Sequence, residues 1–175
     1  MATRFRSSQT LTTPFRGFET FTTTLDHTAR TLNNINTSFR TSGFYGEISA
    51  ALNHDGTPEN FKTSASLNLP ISGYERWAAN IEHAARDATS IKSNTQLTTP
   101  FGVFSYDLAH NGHPTAFRTS LSLGTPFRGF EQMSGNVELT APSMSDIKSG
   151  STISTPWGVF SYDLEHNGAP TSFTT

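Results

Sequence analysis

The segment Thr125-Pro126-Phe127-Arg128-Gly129-Phe130-Glu131 occurs in three versions along the chain. Residues 13–19 are TPFRGFE and residues 69–75 are LPISGYE, so the versions begin 69 − 13 = 56 and 125 − 69 = 56 residues apart. A fixed period without insertions is typical of repeat proteins, in which each unit packs on its neighbours. The sequence therefore predicts three units of 56 residues, and the chain is expected to be a piece of a longer array. The predicted units are 5–60, 61–116 and 117–172, with 173–175 as the start of a truncated fourth.

Each predicted unit contains four segments in which apolar and polar side chains alternate. In 117–123, Phe, Thr and Leu occupy the odd positions, and Arg or Ser occupy the even ones. Such alternation is typical of a strand with one covered face. The segments 133–139, 147–153 and 160–164 continue this pattern, with the third one weaker. The prediction is an all-β fold, an antiparallel up-and-down amphipathic sheet of about 12 strands.

Proline and glycine mark the predicted turns between these strands. Proline fixes its own backbone angle, and glycine accepts the positive φ values that tight turns require. After the fourth strand, Asn167-Gly168 predicts a hairpin turn, with equivalent turn segments at 54–58 and 110–114. Pro142-Ser143 and Ser145-Asp146 predict a break between the second and third strands. The structural turn residues predicted after each first strand are Pro14, Gly17, Pro70, Gly73, Pro126 and Gly129.

Residues 77–86 have a competing helical pattern. They are rich in alanine, and Glu82 and Arg86 have the four-residue spacing that stabilises helices. The equivalent segments 21–30 and 133–142 are rich in threonine or contain glycine and proline, which oppose a helix. Because all three segments share an apolar side chain at every second position, the prediction for 77–86 is a strand.

The predicted sheet has one apolar face that needs a cover. A sheet of this size would carry on the order of 1,700 Å² of apolar or threonine surface there, several times what a soluble monomer usually exposes. Lipid, a second sheet, or closure of the chain into a barrel would provide the cover. The side chains expected to face lipid or a partner are Phe104, Tyr106, Leu108, Phe160, Tyr162, Leu164, Trp77 and Ile81.

The repeated polar residues do not predict a reaction centre. One histidine of each unit lies near the end of the fourth strand, namely His54, His110 and His166. Residues four strands apart in a sheet are separated by about 19 Å, which is too far for a shared metal ion. One glutamate of each unit follows the first turn without a second acid or base nearby, namely Glu19, Glu75 and Glu131. We therefore expect turn hydrogen bonds or exposed ion pairs, and no catalysis, cofactor or metal.

Charge and composition exclude several partners. The net charge is −2 and 15% of the residues are charged, so the chain has no basic surface for nucleic acid. The absence of cysteine excludes a disulfide framework. No run of 18 apolar residues occurs, so no transmembrane helix is expected.

The segments TPFRGFE (13–19), TPFGVFSYDL (99–108) and TPWGVFSYDL (155–164) resemble the β-rich repeat region of the large lipid transfer protein superfamily, which includes the apolipophorins and apolipoprotein B. In that family, Thr-Pro-Phe-x-Gly-aromatic segments separate amphipathic strands, and the sheets lie against lipid in secreted particles. The resemblance implies a lipid-associating segment of a longer extracellular protein. The spacing here is more regular than in that family, which also suits regular lateral assembly.

Two alternative functions are left open. The first is a structural protein that associates with itself through unpaired edge strands into filaments or sheets, because exposed edges template further pairing. The second is a transmembrane barrel with its polar face inward, which suits the alternation and the even strand number.

Overall fold

The computed structural model describes residues 3–168, which form strands and turns without any helix. Twelve strands follow one another in a single sheet, in the same order as in the sequence. The predicted fold class, an all-β up-and-down antiparallel sheet of about 12 strands, is confirmed. The strands are Thr3–Thr12 (β1), Thr20–Thr31 (β2), Asn34–Gly43 (β3), Gly46–Thr57 (β4), Asn60–Asn68 (β5), Arg76–Asp87 (β6), Ser90–Thr99 (β7), Gly102–His113 (β8), Ala116–Gly124 (β9), Gln132–Ser143 (β10), Asp146–Thr155 (β11) and Gly158–Asn167 (β12).

The chain divides into two compact units. The first unit runs up to Glu82 and includes Gln96–Gly102, and the second consists of His83–Thr95 and the residues from Val103 onward. The strand bounds recur with the period of the sequence, since β2, β6 and β10 begin at residues 20, 76 and 132. The division into three units of four strands stays a prediction. Its predicted fourth unit, 173–175, lies outside the described residues.

The polar face of each unit carries cross-strand ion pairs. In the first unit, Arg6 pairs with Asp26 at 3.3 Å and Lys62 pairs with Glu82 at 3.0 Å. The further ion pairs among the described residues are Arg40–Glu47, Arg118–Glu138 and Lys148–Glu165. Exposed pairs of this kind contribute less than about 1 kcal/mol each. Their main effect is to favour one strand register over others, because opposite charges meet only in the observed pairing.

No apolar side chain within residues 3–168 is buried, and Thr99 is the one buried residue among them. A sheet hides its apolar face only when a second layer packs on it. Strand pairing, cross-strand side-chain contacts and turns therefore hold these units together without a hydrophobic core. The apolar face of each unit stays accessible to another molecule.

The repeated segment TPFRGFE forms a turn that its own hydrogen bonds close. The backbone amide of Thr125 donates to the carbonyl oxygen of Glu131 at 3.1 Å. The Thr125 hydroxyl donates to the carbonyl oxygen of Phe130 at 2.6 Å. Gly129 has a φ of +85°, a conformation that side chains with a Cβ disfavour. The two other versions of the segment repeat the backbone bond, and the version with threonine at its first position also repeats the hydroxyl bond.

The turns predicted over 54–58 and 110–114 lie later than expected, at Pro58-Glu59 and Pro114-Thr115, and the pairs Asp55-Gly56 and Asn111-Gly112 do not form them. Both pairs lie inside strands, because β4 continues to Thr57 and β8 continues to His113. The glycine amides donate to backbone carbonyl groups of the preceding turns at 2.8 Å. The strand geometry at these glycines, with φ of +124°, excludes a side chain and explains the residue choice. For Asn167-Gly168, the residues that would complete a hairpin lie outside the described part of the chain.

The predicted break between the second and third strands is confirmed at Met144-Ser145, while Pro142 itself lies within β10. The register between β10 and β11 shifts between Thr140 and Ser143, so the proline occupies an irregularity of the ladder. Proline has no N–H group and is tolerated in a sheet at such bulges. The strand predicted over 77–86 is confirmed, because β6 spans Arg76–Asp87.

Candidate functional site

The candidate site is the side of the sheet on which apolar side chains meet across the strands, called the apolar face. The strand register sets these side chains opposite one another, and the remaining side chains of each strand point to the polar face. In the first unit, the large members of the apolar face on β1–β5 are Phe5, Leu11, Phe21, Leu25, Ile35, Phe39, Ile48, Leu52, Phe61 and Leu67. In the second unit, those on β8–β12 include Tyr106, Leu108, Phe117, Leu121, Leu123, Met133, Val137, Leu139, Ile153, Phe160, Tyr162 and Leu164.

The structure places the predicted residues of β8 on this face. Tyr106 lies opposite Leu123, and Leu108 lies opposite Leu121. Phe104 is two residues before Tyr106 and therefore on the same side of the strand. Its ring centroid is 5.7 Å from that of Phe127, in an edge-on arrangement.

The predicted residues of β12 also lie on the apolar face of the second unit. Phe160 is opposite Ile153, and Tyr162 and Leu164 are opposite two serines of β11. The side chains of Phe160 and Tyr162 are 63% and 56% exposed, so both are available for contact.

Trp77 and Ile81 lie on β6 in the first unit. Glu82 points to the polar face, where it binds Lys62, and alternation therefore puts Trp77 and Ile81 on the apolar side. The Trp77 ring lies 6.4 Å from the ring of Phe101, which belongs to the turn between β7 and β8.

Aromatic side chains of the turns form contacts that the sequence interpretation missed. The ring of Phe18 lies 4.1 Å from that of Phe44, which in turn contacts Phe21 of the apolar face. Equivalent turn contacts are Tyr74–Phe101 at 5.8 Å and Phe130–Trp157 at 5.4 Å. The signal was present in the sequence, because each turn segment contains an aromatic residue that strand alternation does not require.

Three histidines of the apolar face each pair with a threonine of the adjacent strand. Nδ1 of His54 lies 2.7 Å from Oγ1 of Thr63, and Nδ1 of His110 lies 2.8 Å from Oγ1 of Thr119. His27 and Thr37 form the same contact at 2.9 Å. Among the strand positions with a described register, this face carries no Asp, Glu, Lys or Arg. Each of these contacts pairs one ring nitrogen with one threonine hydroxyl, and the registered positions of the apolar face carry no fixed charge.

Of these three histidines, His54 and His110 lie near the ends of β4 and β8, as predicted, and each bonds to the adjacent strand and not to the turn. Each of the three contacts a phenylalanine ring as well as a threonine, with centroid distances of 5.2–5.6 Å to Phe5, Phe61 and Phe117. Within residues 3–168, no three His, Asp or Glu side chains are close enough together to hold a metal ion.

The glutamate at the end of each repeated turn accepts a hydrogen bond from the glycine amide of that turn. The distances from nitrogen to Oε1 are 2.8 Å for Gly17 and 2.9 Å for Gly73 and Gly129. These amide bonds, and next the bond from each glutamate's own amide, hold the pKa values of the three carboxyl groups below the usual range. The carboxylate therefore acts as a structural clamp of the turn.

We expect the replacement Glu131→Gln to abolish the acid response of one turn. Because folding lowers the pKa of Glu131, its stabilising effect is complete above the usual pKa of glutamate and is lost as pH falls through the lowered value. In an NMR titration, the Gly129 amide signal of the unmodified chain should move in acid. In the variant this movement should disappear, while Gly17 and Gly73 still titrate. A Gly129 amide that titrates normally in the variant would refute the clamp.

The described residues include no helix that is long and apolar enough to cross a membrane. The resemblance to the large lipid transfer protein superfamily stays a prediction from the sequence segments quoted above. No family model, curated protein or solved structure matches this chain.

Proposed function

We propose that this chain is a non-catalytic, lipid-associating amphipathic sheet of a secreted, apolipophorin-like protein, and that it binds lipid through its apolar face. The pairing of polar side chains on that face carries the proposal. The contacts His54–Thr63 and His110–Thr119 are the clearest cases. Hydrocarbon offers no hydrogen bonds, so polar groups that already bond each other cost less to bring against it than unpaired ones.

The uneven relief of the apolar face favours lipid over a second sheet. Across the second unit, Leu121 is followed in register by Gly135, Ile153 and Phe160. The adjacent row of paired residues runs across the strands as Thr119, Val137, Ser151 and Tyr162. Small and large side chains alternate in it, which leaves hollows between the large ones. A second sheet would need a matching surface that interdigitates with these hollows, as in a sandwich core. Fluid acyl chains fill such hollows without a matching shape.

The energy available from lipid contact is large because the side chains are only partly covered. Val137 is 43% exposed and Ile153 is 52% exposed, in addition to the aromatic residues of β12. Complete removal of a large apolar side chain from water contributes roughly 1.5–3 kcal/mol, and these half-covered ones would contribute about half of that. Tyr74 and Trp157 in the turns combine an apolar ring with a polar atom, which suits the boundary between lipid and water.

The test is flotation of the purified chain with phosphatidylcholine vesicles at neutral pH. We expect the chain to float with the vesicles, and we expect the fluorescence of Trp77 and Trp157 to shift to shorter wavelength as the indole rings leave water. A chain that remains a stable lipid-free monomer and does not float would refute the proposal.

Edge-to-edge assembly is the second candidate function, and the exposure of β1 favours it. This strand lies at one end of the strand order, and each of its residues is exposed. An accessible strand edge offers unpaired N–H and C=O groups to another copy. Sedimentation velocity distinguishes the two functions, because polymers that form equally with and without vesicles would support assembly. A monomer at high protein concentration would exclude it.

A further inference from the structure

Histidine is the one residue type on the described apolar face whose charge ordinarily changes between pH 5 and 8. His27, His54, His110 and His166 occupy registered positions of this face. His83 follows Glu82, which points to the polar face, and alternation puts His83 on the apolar side. The remaining histidine, His113, is the last residue of β8 and lies on the polar face. Five of the six histidines of the chain therefore lie on the apolar face of their own unit.

The surroundings of these histidines are built in the same way in both units. Each of His27, His54 and His110 has a threonine hydroxyl within 2.9 Å and a phenylalanine ring within 5.6 Å. The imidazole thus lies among apolar neighbours and makes a hydrogen bond that is compatible with its neutral form. A neutral imidazole in this setting adds little cost to lipid contact.

No carboxylate of the described register faces these imidazoles. His27 is opposite Phe5 on β1 and Thr37 on β3, while the nearby Arg6–Asp26 pair occupies the polar face. His54 is opposite Ile35 on β3 and Thr63 on β5, and the charged Asp55 and Lys62 point to the polar side. A proton gained by either imidazole would therefore remain an uncompensated charge on the apolar face.

His110 has the same kind of neighbourhood in the second unit. It is opposite Thr119 on β9, and the charged Arg118 beside that threonine pairs with Glu138 on the polar face. The only charged residue in the sequence of β7 is Lys92, a cation, which would not neutralise an imidazolium.

We infer that acid releases the apolar face from lipid, and that its histidines are the groups that sense the pH. The inference rests on the proposed function. While the imidazoles are neutral, the registered positions of the face carry no charge, so lipid contact is favourable. A histidine that takes up a proton in acid puts a charge on this face, and a charge against hydrocarbon is costly. The bound state then becomes less favourable than the free state, in which water solvates the charge.

Acid opening of the repeated turns would not explain release from lipid at pH 5.5. Hydrogen bonds from glycine amides hold the pKa values of Glu19, Glu75 and Glu131 below the usual range, so these carboxylates stay ionised at pH 5.5. The sheet should therefore keep its turns in the pH range in which the histidines change charge.

The experiment is flotation with phosphatidylcholine vesicles at pH 7.5 and pH 5.5. We expect the vesicle-bound to free ratio of the unmodified chain to fall roughly tenfold or more at pH 5.5. The variant that lacks all five face histidines should keep its binding at both pH values. It combines His27→Gln, His54→Gln, His83→Gln, His110→Gln and His166→Gln. His113→Gln is the matched control on the polar face, and it should release like the unmodified chain.

Each outcome separates this inference from the proposed function. Equal binding of the unmodified chain at both pH values would overturn acid release and leave lipid binding intact, whereas absence of binding at pH 7.5 would overturn both. Release of the five-fold variant at pH 5.5 would exclude histidine as the sensor. If that variant loses the strand signal in far-UV circular dichroism, the single variant His54→Gln tests whether histidine is the sensor. It should release at a lower pH than the unmodified chain, and an unchanged release pH would overturn the inference.

Discussion

The replacement Gly56→Ala is expected to lower the free energy of unfolding by about 2–4 kcal/mol, because it combines backbone strain with a steric clash. Gly56 lies inside β4 with a φ of +124°, and an added Cβ would lie 2.1 Å from the carbonyl oxygen of Asn60 and 2.5 Å from Cα of Phe61. Both atoms belong to the backbone of β5, so relief requires the two strands to separate. Urea unfolding measures the loss, and amide hydrogen exchange should locate it in β4 and β5.

Gly135→Ala provides the matched control for this prediction. Gly135 also lies within a strand, but the nearest atom to its added Cβ would be the carbonyl oxygen of Thr152 at 3.9 Å, an ordinary contact. Alanine in a strand interior is favoured over glycine by roughly 0.5–1 kcal/mol, so this variant should be as stable as the unmodified chain or slightly more stable. Equal stability of the Gly56 and Gly135 variants would show that the clash does not form. Gly112→Ala should repeat the Gly56 effect in β8 and β9, since its Cβ would lie 2.2 Å from the carbonyl oxygen of Ala116.

The replacement Leu121→Lys is expected to abolish vesicle binding if the apolar face contacts lipid. Leu121 lies between Leu108 of β8 and Gly135 of β10, in the middle of the apolar face of the second unit. A lysine on a lipid-facing strand costs about 2–4 kcal/mol at the centre of the hydrocarbon, which corresponds to a loss of affinity of roughly 30-fold or more. Flotation at pH 7.5 measures the bound fraction directly.

Ser122→Lys is the control, because Ser122 is the next residue and points to the polar face opposite Asp107 and Ser134. It introduces the same charge into the same strand, so changes in net charge and in strand propensity are shared by both variants. We expect it to bind vesicles like the unmodified chain. Equal loss in both variants would mean that general repulsion, and not the apolar face, controls binding. Unimpaired binding of Leu121→Lys would exclude this face as the lipid contact.

The strands and their faces were predictable because side-chain alternation is a local property. Phe160, Tyr162 and Leu164 share one side of β12 whatever the neighbouring strand is. The predicted strand at 77–86 was correct for a similar reason, since its equivalents elsewhere in the chain contain residues that oppose a helix. Local turn chemistry was less reliable, as Asn111-Gly112 shows. An Asn-Gly pair can form a two-residue turn, or its glycine can lie within a strand with positive φ. Which of the two forms depends on the backbone groups of the neighbouring strands and turns.

Part of the candidate site was not predictable from the residues of one strand. Phe39 lies between Leu25 and Ala50, and only the strand register sets these neighbours. The partner of His54 was not predictable either, because nothing near His54 in the sequence reveals that Thr63 lies beside it. Cross-strand neighbours are set by the pairing of whole strands, to which many residues contribute small energies.

The sequence by itself determined the all-β class, the strand number, the alternation of polar and apolar residues and the glycines of the repeated turns, because each depends on the backbone preferences and side-chain period of neighbouring residues. The tertiary structure decided which side chains meet. It placed histidine beside threonine on the apolar face, set glycine against the backbone of the adjacent strand and left this face without a covering layer in the described residues. These features depend on hydrogen bonds between separate strands, and one residue of shift in register would move every side chain of a strand to the opposite face.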